Sequence, residues 1–86
     1  MDEVISLEFF ITRSLPRAEK NLTEMFRVFQ AGEVPGSLHV PKAVISRSVA
    51  YHAQRIYPDN PSVQVFVERI QELYSKLRTY LPDLPQ

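Results

Sequence analysis

The chain has no cysteine, no tryptophan and only two glycines, and no apolar run approaches the ~20 residues that span a bilayer. Without cysteine there can be no disulfide framework, thiolate metal site or cysteine nucleophile, and the redox compartment cannot be read. Acidic residues are missing from the whole stretch Ser37 to Pro58, although ten basic and ten acidic residues leave the chain neutral. A secretory signal is not expected. Asp2 and Glu3 stand where its Lys or Arg would, and Ser6 and Glu8 interrupt the apolar stretch from Val4 to Ile11. These absences together lead to the expectation of a cytoplasmic protein without a membrane segment.

What is present is an ordinary core composition. With 86 residues and 44% hydrophobic content, one small domain is the economical expectation. Such a chain buries roughly 60–65% of the surface its unfolded form exposes, so it is modestly stable and can gain from a partner that covers more. Both glycines fall at 32–41 beside Pro35, the one internal segment with linker chemistry.

The spacing predicts an all-α bundle of about four helices, at 2–13, 16–31, 42–57 and 61–81. In the first, Asp2 and Glu3 suit a helix N-terminus, and Val4, Leu7 and Ile11 share one side with Phe10 widening the stripe. Residues 4–12 also alternate as a strand would, but a strand needs a ladder neighbour, and Ser37 to Val40 is a very short candidate. Pro16 suits a first turn, Ala18, Leu22, Met25 and Phe29 recur at helical spacing, and Gly32 is the expected terminator. In the third helix, begun near Pro41, the stripe Ile45, Val49, Ala53 and Ile56 is expected to face inward.

Asn60 is a natural N-cap with Pro61 behind it. The strongest periodicity follows, with Val63, Phe66, Val67, Ile70, Leu73, Tyr74, Leu77, Tyr80 and Leu81 near heptad a and d positions. Glu72 and Lys76 on the opposite face are in the favourable i,i+4 order. Pro82 is expected to end this helix and leave 82–86 as a frayed tail.

Chemistry-bearing groups are sparse. His39 and His52 lie thirteen positions apart without the carboxylate spacing of a metal cage, so no metal or other cofactor is expected. Ser46 and Ser48 have no histidine and acid placed to activate them, and no Gly-rich loop can cradle phosphate, so no enzyme is expected. Nor does any residue set point to a small-molecule substrate. The third helix is a local basic element: Arg47, Tyr51 and Arg55 fall within about 80° of one another, bordered by Gln54, with Lys42 upstream.

Two short resemblances bear on that helix. Ile45 to His52 is similar to the opening of a helix-turn-helix recognition helix, but the supporting helix before it would have to run through Pro35, Gly36 and Pro41. Ser37 to Pro41, a helix, a turn and a final helix are similar in order to ribbon-helix-helix regulators, which implies a strand at Ser37 to Val40 pairing with a second copy.

The function expected from the residues is a non-enzymatic protein-protein interaction or assembly module, an accessory subunit or homodimer. Its partner-binding residues would be Tyr74, Leu77, Tyr80 and Leu81, late in the last helix. The alternative is a small DNA- or RNA-binding regulator using Lys42, Arg47, Tyr51, Gln54 and Arg55.

Overall fold

Ser6 opens the helical structure, its hydroxyl oxygen accepting the Phe9 N–H at 3.1 Å. The computed structural model describes residues 6–85. Helix α1 (Leu7–Phe9) runs through a π-helical turn (Phe10–Ser14) into α2 (Leu15–Gln30) without a break. The separate helices expected at 2–13 and 16–31 are therefore one rod, about 36 Å long at 1.5 Å per residue. Pro16 explains the π-turn. An unperturbed α-helix would press its ring into the Thr12 carbonyl and lack its N–H, whereas the Leu15 N–H reaches five residues back to the Phe10 carbonyl and widens the turn just before it. Residues 7–12 are helical, so the strand alternative is not realised there, and positions 2–5 of the expected helix lie outside the described residues.

Helix α2 buries Leu15, Ala18, Leu22, Met25 and Phe29, which includes the expected stripe. Gly32 ends it at φ +100°. Its N–H donates to the Phe29 carbonyl at 3.0 Å and the Glu33 N–H to the Val28 carbonyl at 3.1 Å, the paired bonds of a Schellman cap. Helix α3 (His39–Ile56) starts three residues before the expected position. Pro41 still falls within its first turn, where a missing N–H costs nothing. Residues 39 and 40 are helical and no strand occurs among the described residues, so the ribbon-helix-helix order is not met.

The buried face of α3 overlaps expectation only in part: Ala53 of the expected stripe is buried and Val49 half-buried against the core, but the two isoleucines are not. Ala43, Ser46, Ala50 and Ala53 point inward, while Ile45 is 64% and Ile56 36% exposed. The reason is volume. Helices α2 and α4 fill the centre with Leu22, Met25, Phe29, Val67, Ile70 and Tyr74, and only a helix with small side chains can approach such a surface. The Ser46 hydroxyl is satisfied within its own helix, donating to the Lys42 carbonyl at 3.0 Å.

Helix α4 (Pro61–Leu77) begins as expected, with Asn60 Oδ1 accepting the Val63 N–H at 3.1 Å. It buries Val63, Val67, Ile70, Tyr74 and Leu77 against α2 and α3, with Phe66 and Leu73 half-buried at its flanks. The expected Glu72–Lys76 pair forms at 3.9 Å, and Arg69 on α4 reaches Glu19 on α2 at 3.2 Å. The α-helix stops at Leu77 rather than 81; the Tyr80 N–H bonds the Leu77 carbonyl at 2.9 Å, tightening the end into turns.

The segment after Pro82 is a second correction. Leu84 is buried with Leu81 in the core, and the Pro85 carbonyl oxygen accepts hydrogen bonds from Tyr74 and Arg47, so residues 82–85 are docked rather than frayed. Among the described residues no helix is long and apolar enough to cross a membrane.

Candidate functional site: the cationic recess and outer face of α3

Helix α3 carries two groups of side chains that the core does not consume. On the side facing α4, Arg47 extends over the Tyr74 ring at 4.1 Å and lies 5.3 Å from the Tyr51 ring, both within cation–π range. Arg47 Nη1 also donates to the Pro85 carbonyl at 3.2 Å, and the Tyr74 hydroxyl donates to the same oxygen at 2.6 Å. Arg47, Tyr51, Gln71, Tyr74, Ser75 and Arg78 line a recess of about 330 Å³. Gln71 and Ser75 stand four residues apart on α4 and Arg78 is its C-cap residue three positions on, so the end of one helix face supplies that wall. No Asp or Glu lines the recess among the described residues.

Tyr74 is buried here, and burial pushes its phenol above the usual range, because a phenolate would lose hydration. The Arg47 and Arg78 charges pull it partly back, and Tyr51 adds a smaller upward push. Folded Tyr74 thus keeps its proton to higher pH than unfolded Tyr74. Its stabilising contribution should be complete below about pH 10 and fall as pH rises through the raised value. Urea melts at pH 9 and pH 11 are expected to show a smaller alkaline loss in Tyr74→Phe than in the parent chain. An equal loss would contradict it.

The outer side of α3 is different in kind. Leu38, at the helix start, is 80% exposed, and with Ile45 and Ile56 it forms an aliphatic line along one side. Lys42, His52 and Arg55 are exposed beside that line, with Arg55 Nη2 3.2 Å from His52 Nδ1. The other histidine is occupied with structure: His39 Nδ1 accepts the Gly36 N–H at 2.7 Å, and its ring stands edge-on to Phe29 at 4.8 Å. Among the described residues no three His, Asp or Glu side chains gather as a metal site would require.

The residues expected to meet a partner separate accordingly. Tyr74, Leu77 and Leu81 are buried within the chain and half-buried Tyr80 packs on Phe26 and Phe29, so these positions contribute to the bundle core, while Tyr80 and Leu81 also line a recess with Val40, Pro41 and Pro82. Of the five basic-face residues, Lys42, Tyr51 and Arg55 are exposed. Arg47 is turned onto Tyr74, and Gln54 donates to Gln64 Oε1 at 3.2 Å. Sequence reasoning missed Gln71, Ser75 and Arg78, since Gln71 and Ser75 read as solvent face, and it missed the exposed Ile45 line. The available signal was the run Ala43, Ser46, Ala50, Ala53, which also repeats at helical spacing. The chain matches no protein-family model, no curated protein and no solved structure.

Proposed function

We propose that this chain is a non-enzymatic interaction module that docks an acidic, amphipathic segment of a different protein on the outer face of α3. One observation carries this: Leu38, Ile45 and Ile56 lie exposed along one side of a helix in a stretch without a single Asp or Glu. Aliphatic side chains left in water at helical spacing provide anchors, and Lys42 and Arg55 beside them favour carboxylates at the rim. A second copy is a poorer occupant. A two-fold contact of α3 on α3 would set these cations against their own copies.

Nucleic-acid binding has less support on this helix. Gln54 is bonded to Gln64 and Arg47 is turned off the outer face into the recess beside α4, leaving Lys42 and Arg55 as the cations of that set exposed on the outer face, and the net charge is zero.

The test is fluorescence anisotropy of three labelled probes against the full chain: a synthetic Leu/Glu amphipathic helix, its Leu/Lys counterpart, and a DNA duplex. The acidic helix is expected to bind, and Ile45→Asp to weaken it at least tenfold, the loss of one anchor worth about 1.4 kcal/mol. Equal binding of the basic helix, binding unchanged by Ile45→Asp, or preference for DNA would overturn the proposal.

A further inference from the structure

We propose that the recess between α3 and the end of α4 binds a phosphate monoester, its dianionic head held by Arg47 and Arg78 and its organic group lying against Tyr51. This site is separate from the aliphatic face, since Arg47 and Ile45 point about 160° apart around α3.

The recess is over-supplied with donors. Arg47 Nη1 and the Tyr74 hydroxyl already converge on one oxygen, the Pro85 carbonyl, at 3.2 and 2.6 Å. They show where the fold holds an oxygen acceptor. Arg78 lines the same wall; its Nε is closed off from solvent without a hydrogen-bond partner among the described residues, so the rest of the guanidinium is what can meet a ligand. Gln71 and Ser75 add an amide and a hydroxyl on the same wall.

Charge selects the ligand class. Arg47 and Arg78 line the recess and no Asp or Glu lines it among the described residues, so two positive charges meet there without a carboxylate from those residues. A phosphate monoester, which carries ~1.5 to 2 negative charges at neutral pH and three acceptor oxygens, matches that charge and the number of donors. A carboxylate brings one charge and two oxygens. The volume, about 330 Å³, lies at the lower end of small-molecule pockets and leaves room for a ring as well as the head group. Tyr51 is 43% exposed at the edge of the recess and offers an aromatic surface for that ring.

Isothermal titration of the full chain with phenyl phosphate, inorganic phosphate and benzoate tests the assignment. Phenyl phosphate is expected to bind saturably below millimolar, inorganic phosphate at least several-fold more weakly, and benzoate at least tenfold more weakly. Arg78→Gln should cost at least tenfold, with Arg78→Lys recovering part of it. Ser75→Glu, at an exposed position on the recess wall, should abolish binding with the melting temperature retained, and it stands in for Arg78→Gln should that variant not fold. No saturable heat with phenyl phosphate, benzoate binding as tightly, or full affinity in folded Ser75→Glu would overturn the proposal. The acidic-helix titration reads a different face, so either proposal can fail alone.

Discussion

Replacing Leu77 with Ala is expected to lower the free energy of unfolding by about 2–5 kcal/mol, the cost of removing a buried leucine and leaving a cavity. Leu77 is completely buried where α4 meets its neighbours, close to the turns that carry Tyr80 and Leu81. At roughly 0.05–0.15 kcal/mol per residue, an 86-residue domain has about 4–13 kcal/mol to lose, so this one change takes a large share of the stability. Urea denaturation of the isolated chain measures it. Were Leu77 a docking residue held for a partner, the isolated chain would lose less than about 0.5 kcal/mol, as surface positions do. The same measurement therefore separates core from interface for the residue around which the sequence placed an interface.

The second large effect is expected at Ala50. A leucine there adds three carbons to a fully buried position on the α3 face that meets α2 and α4, and overpacking of this kind costs about 1–3 kcal/mol. The neighbourhood gives little relief. Ala43 and Ala53 are also fully buried, and the facing side chains from α2 and α4 already fill the centre. Ile45→Asp, at an exposed site, should change stability by only about 0.5 kcal/mol. A helix rotated to bury Ile45 would reverse the order of these effects, with Ala50→Leu tolerated and Ile45→Asp severely destabilising. Urea melts of the two variants side by side report which face is inside.

The helices were legible where local chemistry and tertiary packing agree. The Ala18–Phe29 stripe lies in the core, Gly32 closes α2 through a left-handed residue, and Asn60 caps α4. At Pro16 a local rule misled: proline reads as a helix start, yet the π-turn before it lets the rod continue, and nothing in the residue pattern marks a π-turn. On α3 the error came from ranking side chains by hydrophobicity. Isoleucine outranks alanine for burial, but the centre of the α3 face between α2 and α4 is taken by Ala43, Ser46, Ala50 and Ala53 with Val44 and Val49 at its flanks, a property of the whole bundle rather than of this helix.

The C-terminal segment failed for a related reason. Leu84 between Pro82 and Pro85 has no periodic partner, and its burial is accompanied by the hydrogen bonds of Tyr74 and Arg47 to the Pro85 carbonyl, which come from distant positions in the chain. The recess shares that feature. Its walls come from residues 47 and 51 on one helix and from residues 71 to 75 of another with Arg78 just past its end, a juxtaposition the linear chain does not display.

Because the chain lacks cysteine, thiol alkylation of Ile45→Cys and Ala50→Cys, run under native conditions on dilute protein, reads the rotation of α3 directly. Position 45 is expected to react at close to the rate of a denatured control and position 50 to be slowed by about 10³-fold or more, its reaction waiting on unfolding. Protection at position 45 equal to or greater than that at position 50 would contradict the account.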